Sequence, residues 1–296
     1  MRRRLPVALL LLTGMASCVA PSAQTPPVVP APPVAAPEKA PLPEAPLVLR
    51  GEARQGSALY GTVPPGTVAL RLGGQPVPFA PDGAFMVAFD RDSPTTLRLE
   101  ADRSDGSTVA RDLAVAPGNW RIEQVNASLT AGIPTAEFQA RRAGELARIE
   151  AARATSAVSD GWRQSFIWPV RARISGLFGS QRIYRGTPGS YHSGVDIAAP
   201  AGATFVAPAG GVVVLAAQEP FTLEGRLLII DHGMGLSSAF LHCARLDVKE
   251  GDVVHQGQVL GTVGATGRAT GPHLHWGMKW TAARIDPVAL VSQPTP

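Results

Sequence analysis

The chain has 296 residues, 45% of them apolar, enough to bury the cores of about two domains and too many for a disordered polymer. A net charge of +4 favours anionic surroundings, yet no basic run follows Arg2–Arg4. That distribution argues against a nucleic-acid-binding protein.

Those arginines precede an apolar stretch from Leu5 to Leu12, too short for the roughly 20 residues that span a bilayer and typical of a secretory signal. It closes on M-A-S-C, which resembles a bacterial lipobox with Met15 where Leu is usual. The resemblance implies a signal peptide over residues 1–18, export, cleavage before Cys18 and lipid attachment to that cysteine. The expected location is the periplasm, with a lipid anchor in the outer membrane; the alternatives are a cleaved signal with a soluble product and an uncleaved anchor. With Cys18 lipidated or removed, Cys243 has no intramolecular partner, so no disulfide framework is expected. Residues 19–46 hold ten prolines between Pro21 and Pro46. Such a stretch favours extended polyproline geometry and reads as a semi-rigid spacer.

Residues 47–118 repeat short alternating segments (LVLRGEA, TVALRLG, AFMVAFD, TLRLEAD, TVARDLAVA), broken by PPG, APDG and DRSDG. This pattern predicts a small all-β sandwich. It contains no histidine or cysteine and reads as a packing or spacing module. Residues 119–161 form a helical linker. In PTAEFQARRAGELARIEAARAT, Thr135 can cap, Glu137 sits in the first turn, and Phe138, Leu146, Ile149 and Ala152 make a stripe that Arg142 interrupts. Glu137 and Arg141 can pair at i,i+4, and the helix is expected to dock loosely, without a catalytic role.

From residue 162 to 290, strands (GGVVVLAAQ, RLLIIDHG, LSSAFLHC, DVVHQGQVLGTVG, HLHWGMKW) alternate with glycine-rich turns, which predicts an antiparallel β domain with long loops; residues 291–296 are a tail. The fold class is therefore all-β and multidomain. All six histidines lie in this last domain. His192 in YHSGVDIAAP has Asp196 four residues on, and an imidazole with a carboxylate suits a divalent metal such as zinc. GPHLHWG supplies His273 and His275 on one strand face. Catalytic zinc takes three protein ligands and keeps one open position. His192, Asp196 and one of His273/His275 meet that count, leaving the other histidine for proton transfer or oxyanion binding. His242 in AFLHCARL is a further candidate. Cys243 reads as a small core residue, His232 and His255 as turn or surface residues, and Arg182 as a groove or solvated cation. Gly271 and Gly277 are expected to let backbone approach the histidines closely.

The order HSGVDIAAP, FLH, GPHLHWG, with WPVRARISGLFGSQR, DHGMGLSS and VKEGDVVHQGQVLGTVGATG between and before them, resembles the lysostaphin-type (LytM-type) zinc metallopeptidase family, whose signature is H-x-x-x-D, Y-x-H and H-x-H. The likeness covers about residues 165–290. It implies a duplicated-hybrid-motif-like peptidase fold and one zinc ion per chain, with His192, Asp196 and His275 as ligands and His242 and His273 flanking the reacting centre. It also implies cleavage of peptide bonds in the stem peptides or cross-bridges of bacterial peptidoglycan; a periplasmic anchor points to D-alanyl to diaminopimelate cross-links. A noncatalytic LytM-type activator of cell-wall amidases is the alternative. Phe240 departs from the signature's Tyr, and no H-E-x-x-H helix supplies a glutamate base.

Overall fold

The computed structural model describes residues 42–128 and 134–291. The signal segment, Cys18 and residues 19–41 of the proline spacer lie outside the described residues. No described helix is long and apolar enough to cross a membrane.

Alternating polar and apolar positions build seven strands at the start: β1 (Val48–Arg50), β2 (Ala58–Thr62), β3 (Thr67–Leu72), β4 (Gln75–Pro76), β5 (Ala84–Ala88), β6 (Thr96–Arg103) and β7 (Thr108–Ala114). They form two antiparallel sheets, β1-β2-β5 and β4-β3-β6-β7, whose inward residues Leu59, Phe85, Val87, Leu99 and Leu113 are buried. The DRSDG signal between β6 and β7 is a turn in which Gly106 takes a φ of 89°, a conformation that costs a non-glycine residue energy. Asp105 tightens it by accepting hydrogen bonds from the Ser107 amide and hydroxyl at 2.9 and 2.6 Å.

The segment between the sandwich and the histidine-bearing strands holds a strand as well as a helix. β8 (Ile122–Val125) runs parallel to β10 (Gln181–Tyr184), which follows β9 (Ile174–Gly176) and pairs on its other side with β11 (Thr187–Pro188). α1 (Ala136–Ala154) starts where Thr135 accepts the Phe138 amide at 3.1 Å. Its docking differs from the apolar stripe expected. Leu146 is 42% exposed, Arg141 turns to Glu145 at 3.2 Å instead of to Glu137, and Glu145 is buried, accepting from the Thr222 amide and hydroxyl. Arg142 grips Glu224 through both terminal nitrogens at 2.6 and 2.7 Å. Ile149 and Ala152 alone of the stripe reach the apolar surface of Leu215, Leu227 and Ile229. A charged pair with satisfied partners thus anchors the helix where leucine was expected to.

Beyond the short turn Gly161–Arg163 come β12 (Val195–Ile197), β13 (Thr204–Val206), β14 (Gly211–Ala216), β15 (Arg226–Gly233), β16 (Leu236–Cys243), β17 (Arg245–Leu246), β18 (Val253–Val254), β19 (Val259–Thr262), β20 (Leu274–Trp280), β21 (Ala283–Ile285) and the short α2 (Pro287–Val291). The main sheet has the order β18-β14-β15-β16-β20-β12-β9, with β21 also on β20; a second sheet is β13-β19-β17. Its core is aromatic: Trp276 meets Trp168 edge-on at 6.0 Å, and Phe240 packs on Phe205 at 5.3 Å. The architecture is all-β, mostly strand with little helix.

Candidate metal centre

Three adjacent strands carry the site. β12 and β20 are antiparallel with Asp196 opposite His275, and β16 lies on the other side of β20 with Leu241 opposite His275. Residues directly opposite on paired strands share a face, so the register alone brings Asp196 and His275 together. His192 precedes β12 in a loop and reaches the same point, with Nε2 at 3.1 Å from Asp196 Oδ1 and 3.1 Å from His275 Nδ1; His275 Nδ1 is 2.9 Å from Asp196 Oδ1.

These three atoms are potential electron-pair donors converging on one point. His192 Nδ1 donates to the Leu177 carbonyl at 3.1 Å, because a carbonyl can only accept, and that leaves Nε2 with its lone pair. The edges of the triangle are close to the roughly 3.3 Å separation of ligands on a tetrahedral ion with bonds of about 2.0–2.1 Å. His192, Asp196 and His275 are thus a cluster able to hold a metal ion, and two imidazoles with one carboxylate suit zinc. The electrostatics agree. Burial works to raise the Asp196 carboxyl, yet the His192 and His275 hydrogen bonds hold it well below the usual carboxylate range. Burial opposes charge on His192, but Asp196 pulls it up overall. At His275 burial prevails and the ring is pushed down.

His242 and His273 face this triangle. Their rings lie 4.8 Å apart, and His242 is 6.3 Å from His275. His242 is aimed by a bulge: Phe240 pairs with Leu228 and Cys243 with Arg226, so Leu241 and His242 together face Leu227. The extra residue breaks the alternation that would have put His242 on the buried Phe240 side. His242 has a φ of 65°, a conformation seldom adopted by a side-chain-bearing residue. Its Nδ1 donates to the Thr266 carbonyl at 2.8 Å, and His273 Nδ1 donates to the Gly271 carbonyl at 2.8 Å. Both Nε2 atoms are left for the groove; that of His273 is 3.7 Å from Asp196 Oδ1. Burial, reinforced by His273 and His275, pushes the His242 imidazole down, keeping it neutral at neutral pH. All five residues line a groove of about 600 Å³.

Other expectations fare unevenly. Cys243 is buried, its thiol pushed up to about 12 by burial, and His255 is exposed. Arg182 is exposed and pairs with Glu123 at 3.0 Å. His232 is neither turn nor surface. It is fully buried, held by the Gly210 carbonyl at 2.7 Å and Ser238 Oγ at 2.8 Å. The close approaches are not at Gly271, where a Cβ would meet nothing within 4 Å, nor at Gly277, where contact would be ordinary. They are at Gly194, whose Cβ would lie 2.7 Å from His275 Nε2, and at Gly176, whose Cβ would lie 2.3 Å from Asp196 Oδ2. Gly194 stands inside the HSGVD motif, where its position between two ligands was a usable signal; Gly176, on β9, offers none in sequence.

Residues 190–287 match peptidase family M23. The chain is 38% identical over 105 residues to the peptidoglycan DD-endopeptidase ShyA of Vibrio cholerae, covering 35% of this chain and 24% of that protein. It is 37% identical over 131 residues to the DD-carboxypeptidase/endopeptidase Mpg of Neisseria meningitidis, covering 43% and 29%. The chain spans less than a third of the length of these curated relatives. A crystal structure assigned to peptidase M23 from Pseudomonas aeruginosa superposes with a TM-score of 0.62 at 29% identity, covering 81% of this chain and 96% of the other. The stretch that is similar to peptidase family M23, residues 190–287, holds the H-x-x-x-D, F-L-H and H-L-H segments that the fold brings to one site.

Proposed function

We propose that the protein is a zinc-dependent endopeptidase that hydrolyses peptide cross-links of bacterial peptidoglycan, with His192, Asp196 and His275 holding one zinc ion and His242 and His273 serving the reacting peptide. The observation that carries this reading is the convergence of His192 Nε2, Asp196 Oδ1 and His275 Nδ1 within about hydrogen-bond distance of one another beneath two further imidazoles whose Nδ1 atoms are committed to carbonyls. Zinc in such a site supplies a water acidified to a pKa of about 7 and a Lewis acid for the scissile carbonyl. The chain supplies the proton traffic. His242, kept neutral by burial, has a free Nε2 lone pair to accept a proton, and the same nitrogen can return it to the leaving amine. His273 presents the second Nε2, placed to donate to or orient the developing oxyanion. Asp196, ionised throughout the neutral range, adds negative charge that stabilises a cation between the two ligand histidines.

ShyA and Mpg, which are named for DD-endopeptidase activity, support a D-alanyl to diaminopimelate bond as the target. A peptidoglycan substrate in turn fits export, and Cys18 would tether the chain to the outer membrane through its lipid. The complete set of five residues speaks against the noncatalytic activator reading, which needs no metal. Purified peptidoglycan is the test: digestion with the full chain should release muropeptides cut at the cross-link, identified by mass spectrometry, and the protein should contain about one zinc per chain. Unchanged muropeptides from a zinc-free protein would overturn the reading.

A further inference from the structure

The groove does not end at the histidines. Lys279 follows His275 by four residues on β20 and so shares its face; on the neighbouring strand it lies directly opposite Arg284. α1 crosses above this face, and Arg153 in its last turn completes the wall. The three cations line one cavity of about 280 Å³ between α1 and the β16–β20 surface, and His275 and Ser193 lie at its other end. Arg284, Ser193 and His275 also line the metal-centre groove, so the two spaces adjoin. At about 3.4 Å per residue the Lys279 backbone stands roughly 13 Å along β20 from His275.

Like charges directly opposite one another on a sheet are destabilising, and among the described residues only the more distant fields of Glu224 at Arg153 and Asp90 at Lys279 oppose that repulsion. Among the described residues neither Arg153 nor Lys279 has an acidic partner. The nearby acids are engaged elsewhere: Glu224 is gripped by Arg142 at 2.6 and 2.7 Å, and Asp90 accepts the Arg284 amide at 2.8 Å. Burial first, then Arg153 and Arg284, push the Lys279 ammonium down, and burial and Arg284 do the same to Arg153. Two guanidinium groups with an ammonium match a carboxylate, which an arginine can hold through two parallel hydrogen bonds.

We propose that Arg153, Lys279 and Arg284 form a carboxylate-binding subsite that seats a free carboxylate of the peptide substrate about three to four extended residues' length from the bond at the metal centre. The proposal rests on the peptidoglycan reading. It selects stem peptides, which carry free carboxylates, over glycine bridges, which carry none along their length, and it gives α1 a part in recognition although the helix lies outside residues 190–287.

The test measures binding apart from cleavage. An uncross-linked stem tetrapeptide with free carboxylates, and the same peptide fully amidated, are titrated calorimetrically into the full chain and into Arg153→Gln, Lys279→Gln and Lys279→Arg proteins. The native chain should bind the acid about tenfold more tightly than the amide. Arg153→Gln and Lys279→Gln should each lose most of that preference with amide affinity unchanged, while Lys279→Arg should keep it. Equal affinity for acid and amide in the native chain, or an undiminished preference in both glutamine variants, would overturn the subsite. Cross-link hydrolysis is followed separately: acid preference without hydrolysis sinks the endopeptidase reading and spares the subsite, whereas hydrolysis without acid preference sinks the subsite alone.

Discussion

His273 and His275 are two residues apart and face the same centre, yet their ring nitrogens are committed differently. His275 Nδ1 sits 2.9 Å from Asp196 Oδ1, inside the triangle, whereas His273 spends Nδ1 on the Gly271 carbonyl and keeps Nε2 at 3.7 Å from the same carboxylate oxygen. His275→Ala should therefore lower zinc affinity more than about 100-fold, beyond the 10–100-fold effect of residues that merely orient ligands. His273→Ala should retain one zinc per chain and lose roughly 10²–10⁴-fold in turnover, the usual weight of a general acid or base. Metal analysis after dialysis, beside muropeptide release, separates the two; equal zinc loss would refute the division. The five positions were legible because ligand chemistry restricts residue type and the motifs repeat it at short spacing. What brings them together was not, since the Asp196–His275 pairing joins strands 79 residues apart and the bulge that turns His242 depends on β15. Gly176 was equally silent, because its need for hydrogen in place of Cβ comes from Asp196 on a neighbouring strand.

At the level of elements, β15 shows how a turn signal can mislead. D-H-G reads as a chain reversal, but β15 runs through Gly233, and His232 lies fully buried edge-on to Phe166 at 5.0 Å. Burial pushes its imidazole down to about 4, below its unfolded value near 6.5. The unfolded chain thus binds the proton more readily, so His232 contributes stability that is complete above about pH 6.5 and is lost as pH falls toward 4, to a total of roughly 3 kcal/mol. Urea unfolding at pH 7, 5.5 and 4 should show a steeper acid loss for the native protein than for His232→Gln, which cannot titrate. Parallel curves would sink this account. Most strands were readable from alternation and turn residues, but β8, inside the segment expected to be a helical linker, was not, and neither was the seating of α1: helical periodicity finds apolar stripes, and this helix is held by Arg142 and Glu145.

At the scale of the whole molecule, the sandwich end of the chain reaches the metal centre through one buried side chain. Arg91, just beyond β5, donates from Nε to the Gly179 carbonyl at 3.0 Å and from a terminal nitrogen to Gln181 at 3.0 Å, and its guanidinium lies 4.9 Å from the centre of the Tyr191 ring. Gly179 in turn donates its amide to the His192 carbonyl at 2.8 Å, and the His192 amide donates to the Ser180 carbonyl at 2.8 Å. Arg91 is therefore one residue removed from the backbone of the first proposed ligand, and Asp90 holds the same loop by accepting from the Tyr191 hydroxyl at 3.3 Å. Residues that orient a ligand from behind shift metal affinity by about 10–100-fold; acting through backbone, Arg91→Ala should fall at the low end, near tenfold in zinc affinity. Arg163→Ala is the control. It breaks an exposed ion pair between Arg163 and Asp82 of the sandwich at 2.9 Å, a contact between the same parts of the chain that does not touch the His192 loop. If Arg91 acts by positioning His192, zinc affinity falls in Arg91→Ala and stays within about twofold of native in Arg163→Ala, because exposed pairs contribute little. Equal zinc affinity in all three proteins would show that the sandwich supports the peptidase strands without tuning the metal centre.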